Sequence, residues 1–284
     1  MKYLLAAVLL LALFFIVIMV YDVNRFVIPR YQITSAKLKK PYRFVVLSDL
    51  HNKQFGKDNE KLVAAIKRQC PDGVFIAGDL ITAKPGQKTG PAIRLLRKIA
   101  ETYPVFYGQG NHEYRLELYP DVYADMYDSF RKGLESCHVE PMKNCHAGLP
   151  EYGITVYGVE IERRFYQRLK TMPMEKEYLK SLLGDPDRSR FNILIAHNPE
   201  YFKEYEEWGA DLVLSGHVHG GVMRLPFLGG VISPSLRLFP QYDGGFFEGK
   251  SGRMLLSRGL GTHTLPIRIF NPGELLVVEL IPEK

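Results

Sequence analysis

The stretch YRFVVLSDLH, Tyr42–His51, runs from an apolar segment into Asp49 and His51, two polar residues set one position apart. A short apolar run bounded by polar residues reads as a buried strand, here Tyr42 to Asp49. The next segment, KDNEKLVAAIKRQC (Lys57–Cys70), puts Leu62, Ala65, Ile66 and Gln69 in helical register. GVFIAGD (Gly73–Asp79) is strand-like again. Strand, helix and strand in alternation predict an α/β fold, with sheets covered by helices.

The alternation continues. A helix is expected from about Pro91 to Glu101, a strand over PVFYG (Pro104–Gly108) and a helix from Tyr119 to Leu134. The second half repeats it less strictly, with strands over ITVYGVE, FNILIAH and DLVLSGH and helices near Met174–Leu183 and Glu200–Trp208. Beyond Gly220 only strand-like segments follow, among them GRMLLS and ELLVVEL. There is no internal repeat and no low-complexity segment.

Hydrophobic residues make up 46% of the 284 residues, enough for a substantial core and against extensive disorder. A formal charge of +6 suits anionic partners such as phosphates or acidic headgroups. No Lys/Arg run interleaved with aromatics and no nucleic-acid module occurs, so nucleic acid is not indicated as a partner.

The N-terminus differs from the rest. Tyr3 to Val20 carries no charge, Pro or Gly, close to the length needed to cross a hydrocarbon core. The following bulky residues offer no small-x-small cleavage site, so a single-pass, uncleaved anchor over residues 1–21 is expected rather than a signal peptide. Arg25, Arg30, Lys37, Lys39 and Lys40 follow the span against Lys2 before it, which favours a body on the cytoplasmic face. Residues 22–41 read as a linker in which Lys37–Lys40 offer contact to anionic lipid, and residues 42–284 as one globular domain. Three cysteines, an odd number, argue mildly for a reducing compartment or a free thiol. Cys137-His138 and Cys145-His146 fit no zinc spacing and read as loop or hairpin residues.

Polar residues gather where the predicted strands end. They are Asp49 and His51, then Asp79, then Asn111, His112 and Glu113, then His197, and finally His217 and His219 in SGHVHGG (Ser215–Gly221). Loops at the carboxyl ends of strands are the usual ligand site of an α/β sheet. In an extended chain residues i and i+2 point the same way, so His217 and His219 can reach one space. Taken singly, Asp79 fits a cap or turn, Asn111 a turn and His197 a polar strand end. Together, oxygen donors mixed with imidazoles suit Mn, Fe or Zn better than Ca or Mg.

This ordered series, D-x-H, G-D, G-N-H-E, a lone His and G-H-x-H, resembles the calcineurin-like metallophosphoesterase family. With the N-terminal anchor and the later LSRGLGTHTLPIRIFNPGE, it is similar to a bacterial membrane-associated, phosphodiesterase-like subgroup. The resemblance implies a sandwich of two mixed β-sheets flanked by helices. It implies two divalent transition-metal ions, one held by Asp49, His51 and His219 and the other by Asn111, His197 and His217, with Asp79 bridging. It further implies in-line attack on phosphorus by a metal-bridging hydroxide, with His112 stabilising the transition state or protonating the leaving group and Glu113 orienting a histidine.

The function expected is a membrane-anchored phosphodiesterase acting on a phosphoester, lipid-linked or nucleotide-linked. The alternatives are a phosphomonoesterase on a soluble or protein substrate and a non-catalytic scaffold of the same fold. Arg258 and Arg268 are open as phosphate clamps, and His263 is unassigned. Many relatives in the subgroup it resembles carry an acid where Thr82 stands, which puts any substrate contact there in doubt.

Overall fold

The structure is a computed structural model that describes residues 1–167, 170–221, 223–225, 228–232, 238–262 and 266–283. Apolar runs with few polar interruptions form the inner strands: β1 (Arg30–Ser35), β2 (Tyr42–Leu47), β3 (Gly73–Ala77) and β4 (Val105–Gly108) lead one sheet. A second sheet follows from β5 (Cys145–Leu149), β6 (Ile154–Gly158), β7 (Phe191–Ile195), β8 (Leu212–Ser215), β9 (Gly245–Glu248) and β10 (Arg253–Leu256). The chain then returns as β11 (Leu276–Pro282).

The five-stranded sheet has the order β1-β11-β2-β3-β4 and the six-stranded sheet the order β9-β10-β8-β7-β6-β5. Both are mixed. In the first, β2, β3 and β4 are parallel and β11 runs antiparallel to β2. In the second, β6, β7, β8 and β10 are parallel between two antiparallel edges.

A core of Phe44, Val46, Phe75, Ile193, Leu214 and Val278 fills the space between the sheets. The outer face of the first sheet buries Val45, Leu47, Val74 and Ile76 under α2 (Glu60–Arg68), α3 (Gly90–Ala100) and neighbouring helices. That of the second buries Leu194, Val213 and Met254 under Tyr201, Tyr205 and Trp208. Strands covered on both faces lose the polar-apolar alternation, which explains their continuous apolar runs. The α/β sandwich agrees with the sequence reading.

Three local differences have physical causes. Residues 22–41, read as a linker, contain β1, which pairs with β11 from Arg30↔Val277 to Ser35↔Pro282. As an edge strand it buries only Ile33 fully, so its sequence stays polar. Lys37 is bound to Asp211 at 2.7 Å, Lys39 to the Pro150 carbonyl at 3.2 Å and Lys40 to Glu151 at 2.9 Å, contacts within the body rather than a lipid-facing run. The helix expected from Tyr119 to Leu134 is interrupted at Ala124, whose φ of 49° is left-handed. Ahead of that break, Asn111–Leu118 forms a helix the sequence reading left out.

At the N-terminus, Lys2–Val23 is one helix, α1, long and apolar enough to cross a membrane. All three cysteines are unpaired, and Cys145 and His146 lie in the β5–β6 hairpin.

Candidate metal centre

Parallel strands deliver the polar residues to one end of the sandwich. β2 ends two residues before Asp49, β3 before Asp79, β7 before His197 and β8 before His217. β4 leads through Gly110 into the helix that opens with Asn111 and His112. The backbone turns sharply at nearly every one: φ is 48° at Asp49 and His51, 55° at Asp79, 74° at His217 and 55° at His219. A left-handed conformation is uncommon for residues with a Cβ and clusters at functional sites. His217 and His219 therefore reach the site through consecutive turns rather than along an extended chain, because β8 stops at Ser215.

The side chains converge in overlapping groups. Ligand atoms of Asp49, His51 and His219 lie within 4.8 Å of one another, and so do those of Asp79, His197 and His217. His51 Nε2 is 3.1 Å from His219 Nε2, and His219 Nε2 is 3.3 Å from Asp49 Oδ1. Asp79 Oδ2 stands between the groups, 3.2 Å from His197 Nε2 and 3.7 Å from His51 Nε2. His51, Asp79 and His112 form a third close group, with His112 Nε2 4.0 Å from Asp79 Oδ2.

Backbone groups fix which atoms point inward. The Asp49 carboxylate accepts the His217 N–H at 3.0 Å and the Ser48 hydroxyl, and Asp79 Oδ1 accepts the His112 N–H at 2.9 Å. His197 Nδ1 donates to the Ala77 carbonyl at 2.6 Å, which directs Nε2 into the site. His112 is oriented the opposite way. Its Nδ1 accepts the Ala83 N–H at 2.8 Å, so in the neutral ring Nε2 carries the proton. Glycines permit the crowding: a Cβ on Gly78 would come within 2.5 Å of His197 Nδ1, and one on Gly110 would collide with the Asp79 carboxylate.

The electrostatics call for cations. Asp49 and Asp79 are both fully buried, and a buried charge is costly unless paired. Burial, reinforced by the Asp79 charge, raises Asp49 to about 6. Burial would raise Asp79 too, yet the positive charges of His197, His112 and His51 hold it well below the usual carboxylate range. Burial pulls His197 down, but Asp79 and Asp49 outweigh it and push it up to about 10. A proton or a metal ion on His197 Nε2 satisfies the same need.

Among the described residues the buried Asn111 Oδ1 has no hydrogen-bond partner, and His197 Nε2 has only the Asp79 carboxylate at 3.2 Å. Such orphans are rare in folded proteins. A neutral imidazole nitrogen and an amide oxygen, beside two carboxylates and further imidazoles, are a donor set for a divalent ion. The Asp/His cluster fits a divalent metal centre.

The family model for the calcineurin-like phosphoesterase matches residues 42–221, a span that contains the whole cluster. The chain belongs to the calcineurin-like phosphoesterase family. It is 29% identical to an uncharacterized metallophosphoesterase of Campylobacter jejuni over 87% of this chain and 61% of that protein, so it spans about three-fifths of that relative's length. Similarity to an uncharacterized metallophosphoesterase of Bacillus subtilis is 28% over 84% of this chain and 79% of the relative. A UDP-2,3-diacylglucosamine pyrophosphatase of Chlamydia muridarum, LpxG, is 22% identical over 85% of this chain and 84% of its own.

Several expectations are revised by these contacts. Glu113 does not orient a histidine: its carboxylate accepts the backbone N–H groups of Asp79, Ile81 and Gly110 at 3.0, 3.2 and 2.9 Å. Placed at the third position of its helix, it closes the turn that presents Asn111. Arg258, left open as a phosphate clamp, pairs with Glu274 through Nε at 2.6 Å. Arg268 is 2% exposed and donates to the carbonyls of Arg258, Gly259, Gly261 and Asn271. It braces the loop whose Leu260 and Gly261 N–H groups bind the Ser48 and Asp49 carbonyls at 3.0 and 2.7 Å. His263 lies outside the described residues.

Two neighbours flank the cluster, Thr82, already noted in the sequence, and Tyr166, which was missed. Thr82 Oγ1 is 3.3 Å from His51 Nδ1, and the Tyr166 ring meets His217 edge-on at 5.3 Å. Thr82 was readable from its place three residues after Asp79, while Tyr166 carried no signal because a loop far along the chain delivers it.

Proposed function

We propose that the chain is a membrane-anchored phosphoester hydrolase, a phosphodiesterase, that works with two divalent transition-metal ions. The observation that carries this reading is Asp79 Oδ2, set between His197 Nε2 at 3.2 Å and His51 Nε2 at 3.7 Å. Asp49, His51 and His219 would hold one ion, Asn111, His197 and His217 the other, and Asp79 both. When bound, the ions would supply an activated water nucleophile and offset charge on the phosphoryl oxygens.

The chain's own groups do the remaining work. The Ala77 carbonyl keeps the His197 lone pair turned inward, and Asp49 is fixed by the Ser48 hydroxyl and the His217 N–H. His112 presents Nε2–H next to Asp79, where it can protonate the departing oxygen of an ester held in the site. Burial of Asp49, Asp79 and His197 keeps bulk water from screening these interactions.

The apolar helix Lys2–Val23 supports an anchor over residues 1–21, ahead of a catalytic domain whose sheet includes β1, and Arg25 and Arg30 favour the cytoplasmic side. The name of the Chlamydia relative supports a lipid-linked or nucleotide-linked phosphoester as substrate. The test compares hydrolysis of bis-p-nitrophenyl phosphate and p-nitrophenyl phosphate with added Mn. A higher kcat/KM for the diester is expected, and preference for the monoester refutes the phosphodiesterase reading.

A further inference from the structure

The last turn of α1 is tied directly to the site. Asp22, 2% exposed, accepts the Asn271 N–H at 3.0 Å. The Asn271 amide donates to the carbonyls of His219 at 2.8 Å and Gly221 at 2.7 Å. One residue thus separates the apolar helix from the backbone of a site histidine. The opposite end of the sheets, where Lys37, Lys39 and Lys40 are engaged, lies about 20 Å away along β2 at roughly 3.3 Å per residue.

The body also rises alongside the helix. Within α1 the covered residues are Phe15, Ile18, Met19, Asp22 and Val23, a single helical stripe. Phe15 lies about 12 Å along the axis from Val23 at 1.5 Å per residue, and its ring meets that of Phe270 edge-on at 6.5 Å. If α1 lies in hydrocarbon, Phe270 is beside it at that depth.

Phe270 is not isolated. Its neighbour Ile269 bridges Met223, the Val231 N–H binds the Met223 carbonyl at 2.9 Å, and the Phe239 N–H binds the Val231 carbonyl at 2.9 Å. This small ladder starts just after His219 and bears Leu228, Leu238 and Phe239, which with Phe270 are 63%, 65%, 58% and 41% exposed. Phe239 and Phe270 hold φ of 46° and 53°, a conformation bulky residues rarely take. Exposed aromatics and leucines on one hydrogen-bonded ladder, joined through Phe270 and Phe15 to an apolar helix, mark a surface suited to an apolar partner. At the foot of α1 a groove of about 650 Å³ is lined by Arg25, which pairs with Asp22, by Lys61 and Arg68 and by the acid Glu60, a net cationic lining that suits the anionic headgroup layer.

We infer that the ladder bearing Leu228, Leu238 and Phe239, together with Phe270, is a lip that dips into the bilayer beside α1, so that the site opens onto the membrane surface and takes phosphoesters whose acyl part stays in lipid. The inference rests on the anchoring proposed above and adds to it the direction in which the site faces and the class of substrate that reaches it.

The test uses the full chain in phosphatidylcholine–phosphatidylglycerol vesicles with brominated acyl chains, carrying Phe239→Trp or Phe270→Trp. Trp208, the only native tryptophan and 8% exposed, gives the baseline. Each added tryptophan is expected to emit at shorter wavelength, to be quenched by the brominated chains and to be shielded from iodide. A Tyr152→Trp variant, at the opposite end of the sheets, is expected to show the reverse. Protein that floats with the vesicles while both lip tryptophans are quenched only by iodide overturns the lip and leaves the anchor standing. Protein that fails to float with the vesicles overturns both.

Discussion

Replacing His112 separates its support of the fold from its proposed chemistry. The ring is 3% exposed and its Nδ1 accepts the Ala83 N–H at 2.8 Å. His112→Ala leaves that buried N–H without an acceptor, a cost of about 1–3 kcal/mol in stability. His112→Asn puts an amide oxygen near the Nδ1 position, so the bond can persist while the Nε2–H directed at the site is lost. A general acid contributes about 10²–10⁴-fold, or roughly 3–5.5 kcal/mol of barrier at 1.36 kcal/mol per tenfold. That contribution is needed only where the departing oxygen is basic. With a series of aryl and alkyl phosphodiesters, His112→Asn is expected to lower kcat most for the poorest leaving group and least for p-nitrophenolate, at an unfolding temperature close to that of the parent. A loss of equal size across the series refutes proton donation by His112.

Two further predictions follow from the buried charges. Asp49 is raised from 3.8 to about 6, so in metal-stripped protein the folded state holds this proton more tightly than the unfolded chain. Stability from this group is complete below pH 3.8 and falls as the pH rises to about 6, by about 3 kcal/mol at 1.36 kcal/mol per pH unit. An ion takes the proton's place, so calorimetry should show a larger Mn-induced rise in Tm at pH 8 than at pH 5; equal rises contradict the linkage. For Arg268→Met, loss of donors to several buried carbonyls is expected to cost about 3–5 kcal/mol, read by urea denaturation, and a cost under about 1 kcal/mol contradicts its bracing role.

The site was legible because each of its polar residues follows an apolar run, and parallel strands carry such residues to one edge whatever their spacing in the chain. Asp49, Asp79, His197 and His217 all follow this rule. What escaped the sequence depends on long-range partners. β1 is polar because only Ile33 is fully buried, and its pairing with β11 joins segments at opposite ends of the chain. Glu113 looked like a partner for histidine, but three backbone N–H groups brought in by β3 and the turn at Gly110 occupy its carboxylate. Arg268 had the composition of a surface residue, and its burial depends on carbonyls that a curled loop turns inward. The left-handed φ angles at His217 and His219 are likewise set by the site and not by the residues themselves.

Anomalous diffraction from crystals of the protein grown with Mn²⁺ tests the central claim most directly. The account predicts two peaks about 3.5–4 Å apart, one against Asp49, His51 and His219, the other against Asn111, His197 and His217, with Asp79 between them. One peak, none, or a pair lying away from Asp79 contradicts it.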